Sequence, residues 1–361
     1  MNQEVVYFGQ DNGNSANKYA MFRPGAEGQD VIRVGAVPNV YAPAIKLTSD
    51  PTSPSDQDVL CVEVPGAEEF PGDFFLGHLA RVQRGESAYQ DRSRDKANAA
   101  NIQLFAPAIL GMLAADRPIV LGIGAALSDY AKQGPAIERY MEGQHLIRYR
   151  YGRIAGERKI TVRRCYVYGQ AIAAIYAHLF PQELQGKARL DAVDKTILCI
   201  DFGHGQINAG MWHGRQVVRD ASFSIDWGMW RIYEAVREML DREYGLITTI
   251  PQLQTAIERQ MYKSHEVDGG GVDLSGYINE QAAILCEDAY RMIRDRMRAV
   301  NAAAWDAIDM VLLVGGGANL MADDIAVKFR QRPAIPADAL YQNAIGLLML
   351  ARDKWGREHG Q

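Results

Sequence analysis

The stretch Asp11-Asn12-Gly13-Asn14-Ser15-Ala16-Asn17-Lys18 decides the fold, because its outline returns at Asp201-Phe202-Gly203-His204-Gly205-Gln206. The first follows the strand-forming run Val5-Val6-Tyr7-Phe8, and the second follows Lys195-Thr196-Ile197-Leu198-Cys199-Ile200. Each is succeeded by another strand, Lys18–Phe22 and Ile207–Trp212, so each is a tight connection at the end of a sheet. Gly13, Gly203 and Gly205 allow left-handed dihedrals and close approach of a ligand to main-chain N–H groups. Successive N–H groups in such turns form an anion-binding nest, and Lys18 adds a point charge for phosphate oxygens. Asp11 and Asp201 would repel phosphate unless a cation lay between them, which implies Mg²⁺ with its preference for oxygen ligands and retained waters. A third glycine run, Gly315-Gly316-Gly317-Ala318, follows the apolar strand Met310–Val314 and suits a flat ligand such as adenosine. It is not a G-x-G-x-x-G fingerprint, and the chain contains no G-x-x-x-x-G-K loop.

Between these markers, strands and helices alternate. Val31–Val37, Val59–Val64, Phe74–Leu79 and Ile119–Ile123 read as strands, and Leu146–Ile154 with Glu157–Tyr168 as a strand pair. Apolar spacing predicts helices over about 94–115, Tyr130–Glu142, Ala171–Leu179, 227–244, 251–261, 276–302, Met321–Gln331 and Asp338–Lys354. Asp268-Gly269-Gly270-Gly271 is a loop, and Ser49–Asp56 is an exposed connection. The order strands, helix, strands, helix occurs twice, which is an α/β fold in two halves.

Composition narrows the class without naming it. The 361 residues carry a net charge of −5 and are 48% hydrophobic, which excludes a disordered chain and argues against direct DNA or anionic-membrane binding over the whole surface. Four scattered cysteines and no CxxC disfavour a disulfide framework or structural zinc, and Cys199 reads as a buried hydrophobe. The longest apolar stretch is broken by Asp116, Arg117 and Pro118, so no bilayer span is expected. The N-terminus lacks a basic and apolar leader, so a cytoplasmic location is expected. His145, His178 and His265 are too dispersed to form a site. Arg291, Arg294, Arg296 and Arg298 are interleaved with acids, as on a solvated helix face. Trp227, Met229 and Trp230 around Gly228 read as core or subunit contact.

The Asp11–Lys18, Asp201–Gln206 and Val311–Ala318 segments, in this order, resemble the phosphate-1, phosphate-2 and adenosine motifs of the actin, heat-shock-chaperone and sugar-kinase superfamily. Within it the chain is most similar to the ParM/StbA plasmid-segregation actins and their archaeal actin-like relatives. Phe74-Phe75-Leu76-Gly77-His78-Leu79-Ala80 and the helix Asp338–Leu350 with Asn343, Ala344 and Gly346 carry that likeness.

The resemblance implies an actin-like, duplicated ribonuclease-H-like two-domain fold with a nucleotide cleft between the domains. Domain I would span residues 1–192, with about 35–95 as a smaller subdomain; domain II would span 193–334, and 335–361 would return to domain I. Asp11 and Asp201 would hold Mg²⁺ and take part in catalysis. Gly13, Asn14, Ser15, Asn17 and Lys18 would bind the β- and γ-phosphates from one side, and Gly203, His204, Gly205 and Gln206 from the other. Gly315, Gly316, Gly317 and Ala318 would approach the adenosine, and Gln170 would orient the attacking water. Some positions depart from the pattern. Gly169 replaces a common Pro, Asn208 an Asp and His204 a small residue, and Leu121-Gly122-Ile123-Gly124 lacks a Pro, which points to altered hydrolysis. The implied cofactors are ATP or GTP with Mg²⁺. The implied partners are other copies of the chain in a filament and an adaptor protein on centromere-like plasmid DNA. The alternatives are a non-polymerising nucleotide-sensing scaffold and a small-molecule kinase of the same superfamily, for which only Asp129 offers itself as a base.

Overall fold

Each Asp-x-Gly turn closes a strand near the centre of its own sheet. The computed structural model describes residues 5–24, 30–91, 93, 95–114, 117–181, 187–264, 267 and 269–360. His265 and Asp268 lie outside the described residues. Contacts divide the chain into one unit of Met1–Asp194 with Leu340–Gln361, and a second of Lys195–Ala339.

The first unit holds β1 (Val6–Asn12), β2 (Ala16–Pro24), β3 (Asp30–Pro38), β4 (Val40–Pro43), β5 (Cys61–Glu63), β6 (Phe74–Leu76), β7 (Tyr89–Gln90), β8 (Ile119–Ala125), β9 (Gly143–Tyr149) and β10 (Gly156–Gly169). They form a ten-stranded sheet in the order β3-β2-β1-β8-β10-β9-β5-β6-β4-β7. Its helices are α1 (Gly77–Arg84), α2 (Ala106–Ala114), α3 (Tyr130–Met141) and α4 (Ile172–Leu179). β1 and β8 are covered on both faces, so β8 and the Val6-Tyr7-Phe8 start of β1 read as apolar runs rather than alternating ones. One face packs Val6, Phe8, Leu121 and Ile123 against Leu104, Phe105 and Ile109, each side chain contributing about 1.5–3 kcal/mol by leaving water.

The second unit holds β11 (Ile197–Phe202), β12 (Ile207–His213), β13 (Gln216–Val217), β14 (Phe223–Ile225), β15 (Met261–Lys263), β16 (Gly271–Asp273) and β17 (Met310–Val314). Its helices are α5 (Trp230–Tyr244), α6 (Ile250–Arg259), α7 (Ser275–Asp306) and α8 (Ala318–Phe329). β12 sits between β11 and both β13 and β14, and β17 pairs in parallel with β11. Leu198, Ile200 and Phe202 pack with Ile232, Val236, Ile293 and Ile325 in one core. The last helix, α9 (Gln342–His359), belongs to the first unit and covers the other face of β1 and β2, where Ala20 and Phe22 meet Ala344 and Leu348.

The third-second-first-fourth strand order is common to both sheets: β3-β2-β1-β8 in one, and β14-β12-β11-β17 in the other. In the first unit β10 extends the row beside β8. In the second that position shrinks to a single parallel bridge between Leu312 and Ala334. This is the α/β duplication expected from the two loops, in the ribonuclease-H-like form that the resemblance implies.

Several boundaries differ from the sequence reading for identifiable reasons. The strand expected over Phe74–Leu79 stops at Leu76, because Gly77 turns to φ 61 and starts α1. The helix expected over about 94–115 is a π-turn, Asn101–Phe105, followed by α2. Pro107 has no N–H to donate one turn back, and the widened turn accommodates it. α7 breaks at Asn301, whose side-chain oxygen accepts the Ala304 N–H at 2.9 Å. The strand expected to reach Ile154 ends at Tyr149. All four cysteines are buried and free, and burial pushes the Cys61 thiol up to about 12. No helix among the described residues is long and apolar enough to cross a membrane.

Candidate functional site

In the first unit, β1 delivers Asp11 to the end of the sheet, opposite Lys18 on antiparallel β2 and Gly124 on parallel β8. The Gly13 N–H donates to both the Asp11 carbonyl at 3.1 Å and the Ala16 carbonyl at 3.2 Å, which closes the hairpin. Asp11 is buried, and its Oδ2 lies 3.3 Å from the Lys18 Nζ. Gln170 follows β10, its N–H bonded to the Ala125 carbonyl at 2.9 Å, and its side-chain amide donates to Asp11 Oδ1. Both oxygens of this carboxylate are therefore held by donors from different strand ends, a charge-assisted arrangement that fixes its direction. Asn17 pairs with Asn12 rather than Asp11, so its side chain belongs to the opposite face of the hairpin from Lys18.

In the second unit the same hairpin is built from other side chains. The Gly203 N–H donates to the Asp201 and Gln206 carbonyls, both at 3.1 Å, with the sequence offsets of the Gly13 bonds. Asn208 stands opposite Asp201 as Lys18 stands opposite Asp11, and its Nδ2 donates to Asp201 Oδ2 at 3.3 Å. Ser224 Oγ donates to Asn208 Oδ1 at 2.6 Å and so orients the amide. Gly13, Gly203 and Gly205 make no use of the left-handed region that glycine allows. Space is what excludes a side chain there: a β-carbon would lie 3.0 Å from the Ala16 carbonyl oxygen at Gly13, and 2.7 Å from that of Gln206 at Gly203. The left-handed glycine is Gly315, at φ 86, where a β-carbon would strike Asp201 Oδ1. Its N–H donates to the Ala339 carbonyl at 2.9 Å, and that of Gly317 to the Phe202 carbonyl at 3.0 Å. Gly316 is exposed, and Ala318 opens α8.

The remaining predicted residues have other partners. Gln206 Nε2 donates to Asp226 Oδ1 at 2.9 Å, and the His204 ring meets Tyr233 edge-on at 5.1 Å. The Gly203 and His204 carbonyls accept the Met229 and Trp230 N–H groups at 3.0 and 2.9 Å, capping the start of α5. A β-carbon at Gly228 would collide with that His204 carbonyl. Met229 is buried, and Arg231 lies over the Trp227 ring at 4.6 Å. His145 is bonded to the Met141 carbonyl at 2.9 Å.

The sequence reading missed the clamp on the first loop. Asn39 Nδ2 donates to the Gly13 and Asn14 carbonyls at 3.2 and 3.1 Å, and Gln90 Nε2 to that of Asn14 at 2.7 Å. Lys96 Nζ donates to Asn14 Oδ1 at 3.2 Å. Burial holds the Lys96 ammonium below its ordinary range, opposed by the carboxylates of Asp91, Asp11 and Asp129. Nothing in local patterning links these residues, since they reach the loop from the β3–β4 junction, β7 and the turn that follows it.

Each unit, taken by itself, presents a carboxylate of the kind that would anchor the waters of a hydrated magnesium ion. Among the described residues no three His, Cys, Asp or Glu side chains are grouped to cage a metal. Asp11 and Asp201 each instead offer one oriented carboxylate beside a glycine turn.

Two family models cover most of the chain. Residues 9–172 match the N-terminal domain of actin-like proteins, and residues 200–327 match the C-terminal part of the archaeal MreB-like actin homologue. The chain belongs to the actin-like superfamily. Solved actin-like structures share its fold at low identity. The actin-like protein Alp7A matches at TM-score 0.75 and 15% identity, over 99% of this chain and 98% of its own. ParM in a 15-stranded filament from Clostridium botulinum matches at 0.73 and 17%, over 97% and 99%. The archaeal actin homologue Ta0583 in complex with ADP matches at 0.70 and 19%, over 97% and 100%. No curated protein matches the chain in sequence.

Proposed function

We propose that this actin-like chain is a filament-forming ATPase that takes MgATP with its Asp11, Asp201 and Gly315 loops. The repeated hairpin carries the reading. Two glycine N–H groups make the same pair of bonds, each beside a buried aspartate at a strand end. Lys18, with the Gly13, Asn14, Ser15 and Asn17 backbone, would receive the β- and γ-phosphates, together with Gly203, His204, Gly205 and Gln206. Magnesium would neutralise phosphate charge, with Asp11 and Asp201 anchoring its waters. Gln170 would orient the attacking water with its amide, and Gly315, Gly316, Gly317 and Ala318 would lie against the adenosine. Membership in a superfamily that includes a filament-forming ParM, and the ADP complex of Ta0583, support assembly and nucleotide binding. Assembly would be head-to-tail, a heterologous contact that propagates. Plasmid DNA would be reached through an adaptor protein, in keeping with the net charge of −5.

MgATP is expected to drive the chain into sedimentable polymer while ADP is not, and GTP run in parallel sets the base preference. Equal pelleting without nucleotide overturns the reading; polymer without phosphate release is the behaviour of a nucleotide-sensing scaffold. Lys96→Met removes the donor that holds Asn14. It is expected to raise the KM for ATP five- to tenfold, or about 1 kcal/mol, with kcat little changed. Steady-state kinetics decide this, and an unchanged KM takes Lys96 out of the loop's support.

A further inference from the structure

We propose that Asn343 is a positioning residue for Gln170. Its side-chain oxygen holds a strained peptide turn that aims the Gln170 amide at Asp11. The proposal rests on Gln170 orienting the water in the ATPase reading.

The turn lies between β10 and α4. Ala171 is one of few non-glycine residues at positive φ, with φ 61 and ψ −41. The Ile172 N–H donates back to the Gln170 carbonyl at 2.7 Å, which closes a three-residue turn of the uncommon hand around Ala171. A β-carbon pays for this conformation, so it persists only where the surroundings impose it. The imposing contact comes from far along the chain: the buried Ala171 N–H donates to Asn343 Oδ1 at 3.0 Å.

The register of α9 makes that contact possible. Gly346, one turn beyond Asn343 on the same helix face, lets α9 approach the Ala173 carbonyl of α4 so closely that no side chain would fit. Asn343 itself is 3% exposed. At the other end of the turn, a β-carbon at Gly124 would lie 3.4 Å from the Gln170 Cγ, so the side chain runs over that glycine towards Asp11 Oδ1. The chain of causes runs from α9, through the hydrogen bond that Asn343 Oδ1 accepts from the Ala171 N–H, to the direction of the candidate water-orienting group. A turn relaxed to ordinary dihedrals would swing Gln170 off Asp11.

The test uses the full chain, with Asn343→Leu (similar branching, no acceptor) and Asn343→Asp (acceptor kept). Three readouts are taken: phosphate release at saturating MgATP, affinity for a fluorescent ADP, and amide hydrogen exchange at Ala171 without nucleotide. Asn343→Leu is expected to expose the Ala171 amide to exchange and to slow turnover about 10- to 100-fold, with ADP affinity within about twofold. Asn343→Asp is expected to keep both protection and turnover. Ala171→Gly is expected to restore part of the Asn343→Leu loss, since glycine takes positive φ freely. In a Gln170→Ala background, Asn343→Leu is expected to add nothing to the turnover defect. Wild-type turnover in Asn343→Leu, an unprotected Ala171 in the wild type, or a full additional loss in the Gln170→Ala background overturns the proposal. A wild-type chain that binds no nucleotide overturns the ATPase reading instead.

Discussion

Gln170→Ala is expected to slow phosphate release about 100-fold or more while leaving ATP affinity within about twofold. The asymmetry follows from what the side chain touches. Its amide N–H₂ donates to Asp11 Oδ1, and its backbone continues the β8–β10 pairing through Ala125, so truncation removes a director of water and carboxylate without opening the sheet. Phosphate binding draws on other groups, Lys18 and the two glycine turns, and these survive the change. Phosphoryl transfer asks the protein chiefly for positioning and electrostatics, so loss of one orienting amide should appear in kcat rather than in KM. Single-turnover phosphate release beside equilibrium binding separates the two. Unchanged turnover would remove Gln170 from the mechanism.

Much of this arrangement is legible in the sequence because it is local. A strand buried on both faces must be apolar, so the break to Asp-x-Gly at residues 11 and 201 marks a strand end and a tight turn by itself. The duplication is legible for the same reason, since each half repeats strand, turn and strand within a short local stretch, residues 6–24 in one and 197–213 in the other. What escapes is set at long range. Asn39, Gln90 and Lys96 act on the Asn14 loop through bonds spanning 25, 76 and 82 residues, and nothing in their neighbourhoods announces it. Asn208, read from the sequence as a departure, takes the place opposite Asp201 that Lys18 takes opposite Asp11. At Gly13 and Gly203 a facing carbonyl crowds the place of a β-carbon, a constraint set by the turn's closure rather than by dihedral freedom. Asn343 shows the limit most clearly. The resemblance placed it on a helix, and its bond to Ala171 lies across 172 residues, beyond the reach of any local pattern.

Gly346→Val is expected to destabilise the first unit by about 3 kcal/mol or more, because α9 has no room to yield. The β-carbon would run into the Ala173 carbonyl of α4, which is backbone and cannot rotate away. On its other side α9 is pinned by the same device twice: β-carbons at Gly9 and Gly122 would meet the Ala344 and Leu347 carbonyls. The helix therefore lies backbone-to-backbone between the sheet and α4, and relief at one glycine forces a clash at another. Helix propensity works the other way, since replacing a mid-helix glycine gains up to about 1 kcal/mol and less for a β-branched residue. The collision is larger, so the net effect is a loss. At roughly 2–4 °C per kcal/mol for a unit of this size, the thermal transition should fall by about 6–12 °C. Gly66→Ala is the matched control, since a β-carbon there meets nothing within 4 Å, and its melting temperature should stay near that of the wild type. Gly346→Val melting within 2 °C of wild type (below the roughly 2–4 °C that 1 kcal/mol produces) would mean that α9 does not dock at this distance. The bond from Asn343 to Ala171 could not then form as described, and Gln170 would have to be aimed by something else.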